Sequence, residues 1–108
     1  MRYRVVMTAN AKTNLREYYW RAAQMAPAAA DRWLGRFEAA IDSLAEHPER
    51  CEIAAENDAV EPTIRQLLFG RTGGVFRVLF TVVQDEVRVL HIRRGVMAAA
   101  DALDLLSE

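Results

Sequence analysis

Residues 75–94 decide the fold, and they read VFRVLFTVVQDEVRVLHIRR. Apolar and polar side chains alternate through much of both halves, and β-branched and aromatic residues predominate, which is typical of β-strands. The polar triplet Gln84, Asp85 and Glu86 separates the halves and suits a turn. The stretch therefore predicts two antiparallel strands, Val75–Val83 and Val87–Arg94, joined as a hairpin.

The register of this hairpin decides where two arginines lie. With a three-residue turn, Val83 lies opposite Val87 and Arg77 lies opposite Arg93. With a two-residue turn, Arg93 would instead share the apolar face with Phe80, where an unpaired guanidinium is costly to bury. We therefore expect the three-residue turn. The core face then carries Phe76, Val78, Phe80, Val82, Leu90 and Ile92, and the open face carries Arg77, Leu79, Thr81, Val89, His91 and Arg93.

Two arginines placed side by side on an open face need an explanation. Like charges directly opposite each other on paired strands destabilise a sheet by a few tenths to about 1 kcal/mol. An external anion could offset this repulsion, with Arg65 on the preceding strand and Arg71 in the adjoining turn joining the cluster. Alternatively, residues 48–62, which carry five acidic groups and one basic group, or the acidic tail at 96–108 could pair with the arginines in an internal ion-pair network. The sequence leaves both alternatives open.

The rest of the chain supplies helices for one face of this sheet. Helical spacing of apolar residues follows the N-cap candidate Thr8, and Pro27 suits the first turn of a second helix. Together the patterns predict an α+β fold with an antiparallel helix hairpin packed on one face of a three-stranded antiparallel meander. The predicted elements are a first strand Arg2–Met7, helices at about Ala9–Met25 and from Pro27 to about His47, a crossing loop at 48–62, a strand Thr63–Phe69, the hairpin, and a short C-terminal helix at about Val96–Leu106.

Composition limits the function classes. The chain has 108 residues, which fits a single domain over 1–108, and 52% apolar residues, which excludes intrinsic disorder. It contains no signal peptide or membrane-length apolar run, so we expect a cytoplasmic protein without a membrane partner. One cysteine, Cys51, and two histidines are too few for a usual zinc site, and no phosphate-cradling Gly-Lys-Ser/Thr loop is present. We expect neither a metal nor a dedicated cofactor.

The order of elements resembles the RelE/ParE superfamily of toxins from bacterial type II toxin–antitoxin modules, often called plasmid stabilisation proteins. The resemblance covers nearly the whole chain and depends on the order and spacing of the pieces together. The matching pieces are Tyr3–Thr8 with Ala11 and Leu15; Ala29, Ala30, Arg32 and Trp33; Ser43, Leu44, Pro48, Arg50 and Cys51; Glu56; Ile64–Leu67 and Gly70; Phe76–Phe80; and Val87 with Val89–Arg93.

This resemblance implies a toxin that a cognate antitoxin neutralises in a hetero-oligomer. RelE-like members cut messenger RNA on the ribosome, whereas ParE-like members inhibit DNA gyrase. Metal-free RNA cleavage needs proton transfer and stabilisation of phosphate charge. For cleavage, the resemblance implies Arg77 and Arg93 as phosphate stabilisers, with Arg65 positioning a neighbouring phosphate and His91 as the available proton carrier.

The sequence departs from the nuclease pattern in two places. Residues 96–108 contain no Tyr, Lys or His, although many RelE-like nucleases have a tyrosine near the chain end, and Lys12 is the only lysine in the protein. The resemblance is therefore nearer to ParE than to RelE, and DNA gyrase is the expected target. The alternatives are a ribosome-dependent mRNA endonuclease and a non-toxic binding module with the same fold. For antitoxin binding we expect Tyr19, Trp20 and Trp33 as anchors in grooves beside the helices.

Overall fold

The computed structural model describes residues 2–57, 63–71 and 74–95. Strand β1 and two helices precede two 3₁₀ turns and a three-stranded meander, which confirms the predicted α+β class. The C-terminal helix predicted at Val96–Leu106 lies outside the described residues. The elements are β1 (Arg4–Met7), α1 (Ala9–Met25), α2 (Pro27–Asp42), 3₁₀ turns at Ser43–Ala45 and Pro48–Arg50, β2 (Ile64–Arg71), β3 (Gly74–Val83) and β4 (Glu86–Gly95).

The four strands form one mixed sheet in the order β1-β4-β3-β2. β2, β3 and β4 are antiparallel neighbours, as the meander predicts. β1 adds a parallel pair with the first half of β4, from Arg4 opposite Glu86 to Met7 opposite Val89. β4 therefore lies inside the sheet along its first half and at the edge of the described sheet along its second half.

Helix α1 begins as predicted and is tied to β4 by polar side chains. The Thr8 hydroxyl accepts a hydrogen bond from the Ala11 N–H at 3.2 Å, which caps the helix, and donates to the Leu90 carbonyl at 3.0 Å. One and two turns further on, Asn14 and Tyr18 accept the Ile92 and Arg94 backbone N–H groups at 3.0 and 3.1 Å. These side chains satisfy donors at the edge of β4 that β1 does not reach.

Helix α2 begins at Pro27 but ends at Asp42, so the prediction that it continues to His47 is wrong. The chain tightens into 3₁₀ turns, and His47 adopts a left-handed conformation with φ 48°. The Arg50 guanidinium donates to the Glu46 and His47 carbonyls at 2.6 and 3.1 Å. The guanidinium thus binds carbonyls that follow the end of α2, and one of them, on His47, also accepts the Arg50 backbone N–H at 3.0 Å.

The β3–β4 hairpin has a two-residue turn, so the predicted three-residue turn is wrong. Val83 pairs with Glu86 across Gln84, whose φ is 58°, and Asp85. An irregularity between Leu79 and Phe80 then shifts the register by one residue, because Leu90 has no partner on β3. From His91 onward, the bulge therefore restores the pairing that a three-residue turn would give.

The core lies between the two helices and one face of the sheet. Because the two-residue turn places Val89 opposite Phe80, Val89 is fully buried in the core, and Leu90, which we expected there, is the bulged residue and is only half-buried. The prediction that Val89 lies on the open face is therefore wrong. Central core residues are Ala11, Leu15, Phe37, Ile41, Leu44, Phe76, Val78, Phe80, Val87, Val89 and Ile92.

Candidate functional site

Arg77 and Arg93 lie opposite each other on β3 and β4, as the sequence predicts. The pairing arises from a two-residue turn followed by the Leu90 bulge, which together give the same register as a three-residue turn. The bulge also keeps Arg93 off the core face, where its charge would be buried among aromatic rings. The two guanidinium groups therefore share the side of the sheet that faces away from the helices.

The Arg77 side chain is buried, so the prediction that it points to an outside molecule is wrong. Its exposed fraction is 1%. Two of its nitrogens donate to the Glu56 carboxylate at 2.5 and 2.9 Å, and Nε donates to the Gln66 side-chain oxygen at 2.9 Å. A bidentate pair of this kind is the strongest arrangement that a guanidinium makes with a carboxylate. Arg77 is thus the centre of an internal ion-pair network, the alternative that the acidic segment suggested.

Glu56 holds both arginines. Its Oε2 lies 3.8 Å from the Arg93 guanidinium, while its two oxygens bind Arg77. Burial raises the pKa of the Glu56 carboxyl, but the hydrogen bonds from Arg77 and a backbone N–H and the charges of Arg77 and Arg93 lower it more. The net pKa lies below the ordinary 4.5, so Glu56 is ionised at neutral pH.

The segment that carries Glu56 is fastened to the outer edge of β2. Ile53 bridges Arg65, the Ala54 N–H donates to the Ile64 carbonyl at 2.9 Å, and the Gln66 N–H donates to the Glu52 carbonyl at 3.0 Å. We call residues 51–57 the acidic strap. Its attachment explains how a residue far from the hairpin in sequence reaches Arg77.

Arg65 serves this attachment in the structure. Its guanidinium donates to the Cys51 carbonyl at 2.8 Å and to the Glu49 carbonyl at 3.4 Å. Burial raises the pKa of the Cys51 thiol above its ordinary 9.0, so the thiol is neutral at pH 7. Arg65 thus binds backbone carbonyls of the chain and does not join Arg77 and Arg93 in the observed network. Its role toward an external phosphate stays a prediction.

His91 and Arg93 lie together at the edge of β4. They line a shallow cleft of about 330 Å³ with Asn14, Tyr18 and Ile92. The Arg93 side chain is 31% exposed, in contrast to Arg77. An outside molecule can therefore reach Arg93, and His91 lies beside it in the cleft. Arg71 is the last residue of β2, and its side chain lies outside the described part.

The three expected antitoxin anchors differ in exposure. Trp20 is exposed, at 58%, near the end of α1. Tyr19 is half-buried, and its hydroxyl donates to Asp31 of α2. Trp33 is half-buried against Phe37 and Phe76, with ring centroids 5.2 and 5.3 Å apart. Trp33 also lines a second cleft of about 270 Å³ with Tyr18, Arg21, Ala22, Phe76 and Arg94.

Four residues that build the site were not predicted as site residues: Glu56, Gln66, Asn14 and Tyr18. The signal for Glu56 was the charge contrast between the acidic segment and the basic strands. No comparable signal marks Asn14 and Tyr18, because their hydrogen bonds to β4 depend on how α1 crosses the sheet.

Two further kinds of site are absent from residues 2–57, 63–71 and 74–95, a metal cluster and a membrane-spanning helix. There, no three His, Cys, Asp or Glu side chains come together as a metal ion would require. Neither helix in that part of the chain has an apolar stretch that could cross a bilayer.

Comparison with known proteins identifies the family. The sequence model of the family described as "ParE toxin of type II toxin-antitoxin system, parDE" matches residues 5–99. The chain belongs to the ParE toxin family. It is thus the toxic component of a type II toxin–antitoxin module, and its partner is an antitoxin. No protein among the curated sequences matches the chain.

A solved structure supports the same fold. It is titled "Chromosomal ParDE TA system from P. aeruginosa" and superposes with a TM-score of 0.66 at 19% sequence identity. The match covers 85% of this chain and 95% of the other. At this identity the likeness establishes a ParE-like fold and does not transfer residue roles.

Proposed function

We propose that this ParE-family toxin inhibits DNA gyrase in the bacterial cytoplasm and that its cognate antitoxin silences it in a hetero-oligomeric complex. The observation that carries the proposal is the family match over residues 5–99, which spans both helices and all of the described sheet except Arg4. We also propose that residues 1–108 form one toxin domain.

The geometry of the arginines supports gyrase over messenger RNA. Metal-free RNA cleavage needs a base, an acid and several cations around one phosphate. Arg77 is bound by Glu56 and Gln66, and Arg65 is bound by backbone carbonyls. Of the four residues that an endonuclease mechanism would recruit, Arg77 is thus fully engaged within the chain and Arg65 is partly engaged, whereas Arg93 and His91 line an open cleft. The lack of Tyr, Lys and His in residues 96–108 points in the same direction.

The antitoxin has an accessible docking region along the helix hairpin. Trp20 offers an exposed aromatic anchor, and Trp33 and Phe76 line the cleft between the helices and the sheet. Arg21 and Arg94 stand beside these rings, so an amphipathic segment with acidic residues would find both apolar and charged contacts. Tyr19, Trp20 and Trp33 remain our proposed antitoxin-binding residues.

Induction of the gene without its antitoxin tests the target in cells. Gyrase inhibition should produce filamentous cells and a DNA-damage response, and co-expression of the antitoxin should restore growth. The purified full-length chain should also inhibit DNA supercoiling by purified gyrase, with heat-unfolded chain as the control.

Translation arrest with cut transcripts would overturn the proposal in favour of the mRNA endonuclease, for which the shared cleft of His91 and Arg93 is the structural argument. Normal growth would favour a non-toxic binding module.

A further inference from the structure

The acidic strap has few attachments to the rest of the fold after its first residue. Within the described residues, the backbone-to-backbone hydrogen bonds that residues 52–57 make to other segments go to the outer edge of β2. The Ala54 N–H donates to the Ile64 carbonyl at 2.9 Å, and the Glu52 carbonyl accepts the Gln66 N–H at 3.0 Å. The backbone of this stretch is therefore held by one strand of the sheet.

Residues 52–57 also bury little apolar surface. Ala54 is their one buried apolar residue, at 3% exposure, whereas Ile53 is 54% exposed. Cys51 belongs to the core cluster, but it precedes this stretch. The hydrophobic free energy of burial scales with apolar area, and an alanine side chain is a single methyl group. Separating residues 52–57 from the sheet therefore costs little hydrophobic stabilisation.

The remaining attachment is the Glu56 carboxylate. Among the described residues, it is the group of this stretch that reaches past β2, to Arg77 on β3 and to Arg93 on β4. Removal of one partner leaves a buried charge unpaired, but separation of both partners returns both charges to water, and their hydration offsets much of the lost attraction. The ion pair therefore resists loss of Glu56 more strongly than it resists opening of the strap.

We infer that residues 52–57 form a gate that opens as a unit while the helices and the four-stranded sheet stay folded. Opening separates Glu56 from both arginines and uncovers the Arg77 guanidinium together with the outer edge of β2. Closing returns Arg77 to 1% exposure. A segment with few buried apolar contacts opens at a lower free energy than the whole domain unfolds. The inference goes beyond the proposed function, because the gate opens or fails to open whether or not gyrase is the target.

Native-state hydrogen exchange of the wild-type full-length chain tests the gate by NMR. The Ala54 and Gln66 amides bridge the strap and β2, so they should exchange through local opening, with a low exchange free energy and little dependence on urea. The Phe37 and Ile41 amides lie within α2 in the core and should exchange through global unfolding, with the full urea dependence. Equal exchange free energies and equal urea slopes for the two sets would overturn the inference.

Glu56→Gln shows whether the ion pair keeps the gate closed. It leaves the Arg77 guanidinium without its carboxylate in the closed form alone, so the Ala54 and Gln66 amides should exchange about 100-fold faster or more. Glu52→Gln is the matched control, because Glu52 lies on the same strap, is exposed, and as a glutamine keeps an oxygen for the Gln66 side-chain N–H. It should change these rates by less than about threefold. Wild-type exchange rates in Glu56→Gln would contradict the gate.

Thr8→Ala separates opening of the gate from unfolding of the domain. The Thr8 hydroxyl caps α1 and binds β4, so its loss destabilises the whole fold and should speed exchange at Phe37 and Ile41 about fivefold. Exchange at Ala54 and Gln66 should stay unchanged. Equal acceleration at all four amides would show that the strap opens only when the domain unfolds, and would overturn the inference.

Chemical modification measures what the gate covers. Phenylglyoxal reacts with accessible guanidinium groups, and mass spectrometry locates the modified arginines. In the wild type, Arg77 should react more slowly than Arg88, whose side chain is 49% exposed. In Glu56→Gln, the reaction at Arg77 should accelerate together with amide exchange at Ala54. Unchanged slow reaction of Arg77 in a variant whose strap amides exchange rapidly would contradict Arg77 as the group beneath the gate.

Discussion

Glu56→Gln tests the network that buries Arg77. The substitution keeps the size of the side chain and one carbonyl oxygen, but it removes the charge and turns the second oxygen into an amide donor that faces a guanidinium. Arg77 is 1% exposed, so water cannot replace the lost acceptor. The Gln66 side chain still accepts the Arg77 Nε hydrogen bond at 2.9 Å, which moderates the loss.

The expected loss of stability is large for a single exchange. Removing one partner of a buried ion pair costs about 3–5 kcal/mol. The Glu56 side chain is 19% exposed and Gln66 remains in place, so we expect the lower end, about 3 kcal/mol in the free energy of unfolding. For a domain of this size that corresponds to a decrease in Tm of roughly 10–20 °C.

Urea unfolding of the full-length chain, followed by circular dichroism, measures this effect. Glu46→Gln is the control, because Glu46 pairs with Arg2 at 3.0 Å on the surface and should contribute less than about 1 kcal/mol. The double variant Glu56→Gln/Arg77→Met should recover most of the loss, since an apolar side chain replaces the unpaired charge. A Glu56→Gln midpoint equal to that of the wild type would refute the reasoning.

Three further predictions concern the titration of Glu56, the cap of α1 and the exposed Trp20. The pKa of Glu56 is lowered in the folded chain, so its stabilising effect should be complete above the ordinary pKa of 4.5 and should decline as pH falls through the lower folded value. In acid unfolding experiments, the difference in the free energy of unfolding between wild type and Glu56→Gln should therefore shrink. Thr8→Ala should lower the free energy of unfolding by about 1 kcal/mol and Thr8→Ser should restore it, because the hydroxyl caps α1; equal urea midpoints for the two variants would contradict this. Trp20→Ala should change stability by less than about 0.5 kcal/mol, since Trp20 is 58% exposed, yet weaken antitoxin binding in calorimetry; unchanged affinity would exclude it as an anchor.

Local sequence signals predicted the helices and strands well. The apolar spacing and Thr8 placed α1 at Ala9–Met25, because the cap and the helix are encoded within a few residues of each other. The end of α2 was less predictable. The 3₁₀ turns after Asp42 depend on Arg50, whose guanidinium binds backbone carbonyls of the preceding turn from outside the helix.

The Arg77–Arg93 pairing was predictable because burying Arg93 in the core is expensive. This cost of burial fixes which face Arg93 must occupy, but a longer turn and a bulge both satisfy it because they give the same register after Leu90. Leu90 carries no glycine-like or polar signal of a bulge. Its carbonyl is held by the Thr8 hydroxyl at 3.0 Å, a contact between segments that lie far apart in sequence.

The sequence predicted the internal ion pairing of Arg77 only as one of two alternatives, the other being an external anion. Charge counts indicated that the acidic segment and the basic strands attract, but five acidic residues were candidates, and the choice of Glu56 depends on the bridge between Ile53 and Arg65. That pairing sets the register of the acidic strap along β2. Non-local register of this kind has no signature in a single sequence.

Growth after induction without the antitoxin tests most directly our proposal that the buried Arg77 stabilises the fold and that Arg93, whose side chain is 31% exposed, contacts the target. The experiment compares wild type with Glu56→Gln/Arg77→Met, Arg93→Gln and the control Arg88→Gln at equal amounts of folded protein. Arg88 is the control because it lies on the same strand as Arg93 and pairs with Glu86. We predict that only Arg93→Gln permits growth. Growth arrest by Arg93→Gln equal to that of the wild type, or a loss of toxicity in the folded double variant, would contradict the account.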